Sequence, residues 1–452
     1  IQGCIMLINL TPQLQKQQAS LREALVDLIR IPSVCDEGAG GFPFGPGVDN
    51  ALRKVLEIAG GLGFRTHYGE GGYYGYAEVG EGQEMLGIMG HLDVVPAGNL
   101  EDWATHPFDP VERDGMLYGR GTQDDKGPTL AALFAVRTLM DAGVTFNKRI
   151  RFIFGTDEET LWRGIQRYKE REEIPSMGFT PDARFPLVYA EKGLLQCVLE
   201  AKNESGLRIS GGSAFNAVPD SATLYSTHHD DLAEELHSLK FDFARNNEQL
   251  IVTGQAAHAM EPECGVNAIA RLCIGLDALG TESGAVRFIA REIGEDPYAT
   301  RIFGTCEDKP SGKLRLNVGK LDIGDTEHIS IDCRIPVTVP KEKVVRKLSA
   351  AAQRYGLAYR EFDWLAPIYL PLDHFLIKTL ARVYGLISGD LITPPIATGG
   401  ATYARAMDNC VAFGALFPNE PNTEHQPNER AVLKNLYRAM EIYAQAIYEL
   451  TR

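Results

Sequence analysis

The stretch MLGIMGHLD (residues 85–93) sets a short apolar run directly against a histidine and an acid one residue apart. A run of this length reads as a buried strand, with His91 and Asp93 marking its carboxyl end. The pair is either the rim of a metal site or the polar punctuation of a core strand. Which of the two holds depends on what the flanking segments bring to the same place.

Working outward, residues 149–155 (RIRFIFG) alternate as a strand does, and residues 73–79 resemble another. Residues 128–142 are strongly helical. Thr11-Pro12 reads as the N-cap and first residue of a helix, with Leu14, Leu21, Leu25 and Leu28 on one face and an end before Pro32, and residues 48–62 give a second helix closed by glycines. Strands alternating with helices imply an α/β fold with a mixed, mostly parallel sheet covered on both sides. From about residue 195 the pattern changes. Strand-like runs at 194–201, 249–254, 314–318 and 328–336 alternate with helices at 230–239, 267–279 and 341–355, which suits an α+β insert with antiparallel strands. The first pattern resumes near 386 and closes with a long helix at 429–450. The expected organisation is one domain, 1–194 with 386–452, interrupted by a second at 195–385.

The chain has 452 residues, enough for full hydrophobic cores in two or three domains. A formal charge of -15, from 60 acidic and 45 basic residues, argues against nucleic acid or an anionic membrane as partner, and no basic patch offsets it. No apolar run is long enough to span a bilayer. The eight cysteines are scattered without a paired spacing, which fits thiols in a reducing cytoplasm. No secretory signal pattern is visible. Residues 1–5 are set aside, with Met6 the expected native start.

Three more acidic stretches fall where strands should end: GRGTQDDKG (119–127) with Asp124 and Asp125, FIFGTDEET (152–160) with Asp157, Glu158 and Glu159, and FTPDARF (179–185) with Asp182. Each has a structural reading. Asp-Asp in a glycine-bounded loop can cap a helix, paired glutamates can open a solvated one, and Asp182 after proline can form an Asx turn. In open α/β sheets, however, ligands gather beyond the carboxyl ends of strands, where His91, Asp93, Asp124, Glu158, Glu159 and Asp182 would converge. So many acids in one crevice repel one another without a counter-charge, and a pair of divalent cations is the economical answer.

In order along the chain, His91-x-Asp93, the Gly119–Gly127 run, Asp157-Glu158-Glu159, Asp182 followed by Glu191-Lys192-Gly193, and His425 in TEHQPNE resemble the M20 metallopeptidases. GGSAFNAVPD (211–220), GQAAHAMEPECGVNA (254–268), DCRIP (332–336) and GGATYAR (399–405) extend the likeness towards the PepV-like bacterial dipeptidases. The resemblance covers nearly the whole chain from about residue 15. It implies a phosphorylase/hydrolase-like catalytic domain, with the insert as an enlarged lid. It also implies two co-catalytic ions, usually zinc with manganese or cobalt as alternatives, and a cis peptide between Asp124 and Asp125. Asp124 would bridge the ions, His91 and Asp182 completing one site and Glu159 and His425 the other. Imidazole and carboxylate donors suit zinc. Glu158 would be the general base and Asp93 the residue that orients His91.

In the lid, His258 matches the family's oxyanion-stabilising histidine, and Asn216 and Arg334 match residues that grip the substrate carboxylate. Two structural readings stand beside these: His258 as a turn histidine, and Arg334 as the ion-pair partner of Asp332. Lys192, Thr402 and Arg405 lie in family-like motifs without an assigned role. The resemblance thus implies a cytoplasmic, monomeric di-metal dipeptidase acting on short peptides with both termini free. The alternative within the family is an N-acyl amino-acid amidohydrolase or desuccinylase. A non-catalytic peptide-binding protein is the alternative of another class, and it would require a missing ligand or base.

Overall fold

The computed structural model describes residues 7–452, so the reading of residues 1–5 and of Met6 lies outside it. The chain forms two compact units. One comprises the chain up to Tyr189 together with Leu370–Ile396 and Thr402–Arg452; the other comprises Ala190–Tyr369 with Ala397–Ala401.

The first unit is built on a mixed sheet whose strands lie in the spatial order Arg65–Tyr68, Gly75–Val79, Arg149–Gly155, Met85–His91, Met177–Thr180, Cys410–Ala412 and Val188–Glu191. The four strands from Arg149–Gly155 to Cys410–Ala412 are parallel, and antiparallel strands flank them. Every residue of Met85–His91 is buried, which is why its sequence is continuously apolar rather than alternating. His91 pairs in register with Gly155, so the histidine stands level with the end of the neighbouring strand and two residues short of Asp157.

The helix Lys126–Asp141 is buried almost all round. It packs on Met85–His91, and Thr11–Ile29 and Leu433–Thr451 pack against it in turn. Apolar residues on every side are what such a position demands. Thr11, expected as the cap of the first helix, is instead its first residue. The closing helix, expected from 429, begins at Leu433. Arg430–Val432 instead pairs antiparallel with Met116–Tyr118, and the Glu429 carbonyl accepts from the amide of Gly119, so these residues belong to a strand and an anchored loop.

The second unit is an antiparallel sheet in the order Phe243–Arg245, Gln249–Thr253, Ser221–Tyr225, Ile209–Gly211, Arg315–Ile323, Thr326–Ile335, Gly193–Lys202 and Ala358–Leu365. Helices Asp230–Ser238, Ala268–Ala278 and Lys341–Gln353 join it around one core that includes Leu195, Leu199, Leu236, Leu272, Ile329 and Leu348. The described cysteines form no disulfide. Among the described residues, no helix is long and apolar enough to cross a membrane.

Candidate active site

Four loops that follow the parallel strands or lead into the buried helix bring the predicted ligands together. Asp124 stands at the centre. Its Oδ1 lies 2.9 Å from His91 Nε2, and its Oδ2 lies 3.0 Å from His425 Nε2. His425 Nε2 is also 3.0 Å from Glu159 Oε1, and His91 Nε2 is 3.7 Å from Asp182 Oδ2. One carboxylate therefore faces two separate histidine–carboxylate pairs, one oxygen to each. The peptide between Asp124 and Asp125 is cis, as the family likeness implies. Ligand atoms of His91, Asp124 and Glu159 converge closely enough to hold an ion, as do those of His91, Glu158 and Asp182.

His91 is prepared as a ligand. Its Nδ1 lies 2.9 Å from the carbonyl oxygen of Asp93 and donates to it, so in the neutral ring the lone pair sits on Nε2, which faces Asp124. Nε2 and Asp124 Oδ1 are both buried and have no hydrogen-bond partner. Two acceptors left orphaned side by side would be costly in a dry site, and a cation between them resolves the cost. The donor set thus fits a pair of divalent ions.

The charge balance points the same way. Burial, reinforced by neighbouring carboxylates, pushes Glu158 and Asp182 well above the usual carboxylate range and raises Glu159 as well. Contact with Asp124 and Glu159 lifts His425 to about 11. Acids that resist ionising beside a histidine that resists losing its proton describe a crevice short of positive charge. A bound divalent cation supplies that charge.

The carboxylate of Asp93 has a different principal contact from the one expected. It is 3.6 Å from His91 Nδ1, which is held instead by the Asp93 backbone carbonyl. Its two oxygens accept from the amides of Glu158 at 3.1 Å and Glu159 at 3.0 Å. Asp93 thereby ties the strand that ends in His91 to the turn that carries the candidate base and a candidate ligand. The same turn is fixed from its other side. Buried Asp157 accepts from the amides of Arg163 and Gly164 at the start of helix Arg163–Arg171, and Trp162 Nε1 donates to the Glu158 carbonyl at 2.7 Å.

Reading the sequence did not assign Asp125, Asp157 or Glu429 a part in the site. Asp125 Oδ2 accepts from the His91 amide and from Thr129 Oγ1. Gly90 leaves room for that contact, since a Cβ there would lie 1.8 Å from Thr129 Oγ1. The position of Asp125 beside Asp124 was the available signal. For Glu429 there was none, because its partners lie about three hundred residues earlier in the chain.

In the second unit, Ala257–His258 pairs antiparallel with Ala217–Val218, with Ala217 opposite His258. Asn216 accepts through its carbonyl from the Ala259 amide, so Asn216 and His258 sit at the same antiparallel pairing. His258 Nδ1 accepts from the Met260 amide at 3.0 Å, which places the ring proton on Nε2 as a donor. Arg334 is buried. Its Nε and Nη2 both reach Asp332, and Nη1 donates to the Gly399 carbonyl at 2.7 Å. The ion pair with Asp332 named as the structural reading of Arg334 is therefore present.

Residues 87–449 match the family model described as Peptidase family M20/M25/M40. The chain is 37% identical to a Bacillus subtilis (strain 168) protein named "Putative dipeptidase YtjP", over 97% of this chain and 98% of that one. Among solved structures it is similar to human carnosine dipeptidase 1, at 17% identity and TM-score 0.60 over 98% of each chain. It is also similar to the di-peptidase Dug1p of Saccharomyces cerevisiae, at 14% identity and TM-score 0.60, over 97% of this chain and 98% of that one. A site centred on one shared carboxylate, on a fold common to these structures, together with a family match spanning most of the chain, places the protein in peptidase family M20/M25/M40.

Proposed function

We propose that this chain is a metal-dependent dipeptidase that hydrolyses short peptides with free amino and carboxyl termini. The observation that carries the proposal is the division of Asp124, with Oδ1 facing His91 and Oδ2 facing His425. His91, Asp124 and Asp182 would hold one ion, and Asp124, Glu159 and His425 the other. The donor set suits zinc, with manganese or cobalt as alternatives. Such a pair supplies Lewis acidity, polarising a peptide carbonyl and lowering the pKa of water.

The protein groups do the rest. Glu158 takes the proton of the attacking water and delivers it to the departing amine; its burial raises its pKa above the usual carboxylate range. Asp93 and Asp157 hold the backbone on which Glu158 is mounted. His258, with its proton on Nε2, donates to the oxygen that becomes negative as the carbonyl carbon turns tetrahedral. Asn216 and Arg334 bind the free carboxylate of the substrate, Arg334 with its guanidinium plane already set by Asp332. Because one chain carries every group in this scheme, we propose a catalytically complete monomer, acting in the cytoplasm.

A panel of dipeptides and N-acyl amino acids, assayed with added Zn2+, Mn2+ or Co2+, tests the reading. Dipeptides should be cleaved and N-acyl amino acids spared. Preference for the acylated compounds would replace the dipeptidase by an amidohydrolase with the same metal set. The Glu158→Gln variant should lose about 100- to 10,000-fold in turnover while keeping its metal content. Unchanged turnover in that variant would remove Glu158 from its role.

A further inference from the structure

Four residues beyond His425, Glu429 is fully buried and accepts four hydrogen bonds. Its Oε1 gathers the amides of Gly121 at 3.0 Å, Gln123 at 2.9 Å and Asp124 at 3.2 Å. Its Oε2 receives Arg120 Nη1 at 2.8 Å, and Arg120 is itself buried. Converging amides on one anion form a nest of the kind that loops use to grip phosphates, here occupied by the protein's own side chain. A second tie runs alongside: Gln123 Oε1 accepts from the amide and hydroxyl of Thr423, and Gln123 Nε2 donates to the Pro421 carbonyl. The loop that carries Asp124 and the loop that carries His425 are thus sewn together, and Glu429 contacts the backbone of the shared ligand directly.

We propose that Glu429 is a positioning residue for the metal pair. By fixing the backbone of residues 121–124 it aims the two oxygens of Asp124 in different directions, and by its place in the chain it brings His425 to one of them. The role rests on the two-ion reading of the site. Neither common substitution can reproduce it. A glutamine presents one acceptor oxygen and one NH2, so either the three amides or Arg120 must face a donor. An aspartate keeps the charge but is one methylene too short to reach both sets.

The test uses the full chain stripped of metal and titrated with Mn2+, followed by calorimetry for affinity and by electron paramagnetic resonance for spin coupling between the ions. Wild type should bind two Mn2+ with a coupled signature. Glu429→Gln should bind about 10- to 100-fold more weakly and lose the coupling, because an outer partner of a shared ligand affects both ions. Glu78→Gln is the control, since it breaks another buried pair of the same unit, Glu78 with Arg151, joined at 2.6 Å. It should keep wild-type Mn2+ affinity whatever its melting temperature. Wild-type affinity and coupling in Glu429→Gln would overturn the role. So would an equal loss in Glu78→Gln, which would reduce Glu429 to general stability. Should Glu429→Gln not fold, Glu429→Asp decides by the same two readouts. A wild-type chain that takes up no Mn2+ would remove the two-ion site and this role with it, an outcome distinct from an unmoved variant.

Discussion

At the scale of single residues, Asp93 shows how far a motif can be read and where reading stops. His-x-Asp marked the end of a strand and, through the family likeness, a metal ligand with its orienting acid. The ring of His91 is held by the Asp93 backbone, and the Asp93 carboxylate spends its two oxygens on the amides of Glu158 and Glu159. Such contacts between segments 65 and 66 residues apart leave no periodic trace in the sequence. Replacing Asp93 with asparagine offers one acceptor where two amides need one each, and a buried amide left unmet costs about 1–3 kcal/mol. Asp93→Asn should therefore lower the melting temperature and reduce turnover, while the Nδ1 bond of His91 to the backbone persists. A variant with unaltered melting and turnover would show that the two amide contacts carry no weight. For His258, truncation to alanine should cost about 100- to 1,000-fold in turnover, with little change in metal content, as expected for a donor to a developing oxyanion.

At the scale of elements, the strands were the most legible part. Residues 149–155 alternate and are a strand over that same range, and the apolar run that starts at Met85 is a strand ending at His91. The misread element was the start of the last helix. Arg430–Val432 was drawn into a strand by the Met116–Tyr118 hairpin, a long-range pairing that outweighs the local helical pattern. Where strand and helix meet below the site, Gly90→Ala should be destabilising by about 1–3 kcal/mol through overpacking against Thr129 and Asp125, seen as a lower melting temperature. In the second unit, burial holds the Lys192 ammonium down to about 8, and its Nζ donates to the Lys313 carbonyl. The unfolded chain then binds more protons between about pH 8 and the ordinary lysine value near 10.4, so stability rises with pH across that window. Relative to Lys192→Met, wild type should gain in denaturation midpoint over that range; a constant difference would contradict the assignment.

At the scale of the whole molecule, the acidic balance and the order of motifs were readable because they need no knowledge of contacts. The convergence of His91, Glu159 and Asp182 followed from their placement at or after the ends of parallel strands, where an α/β sheet delivers its loops to one end; Asp124 lies in the loop that opens the buried helix, and His425 was legible only through the family likeness. Glu429 escaped notice because the amide it holds in Asp124 is 305 residues away. If each chain is catalytically complete, mixing Glu158→Gln chains with His258→Ala chains should restore no activity. Recovery on mixing would mean that the oxyanion donor comes from a partner subunit.

The account turns on two ions sharing Asp124, and the most direct measurement is metal content per chain followed through chelation and stepwise reconstitution, with dipeptide hydrolysis assayed at each step. Two ions per chain are predicted, with hydrolysis abolished on stripping, restored as both positions fill, and neither stable binding nor restoration in Asp124→Asn. Undiminished dipeptide hydrolysis by metal-free protein, or full activity with a single ion bound, would contradict it.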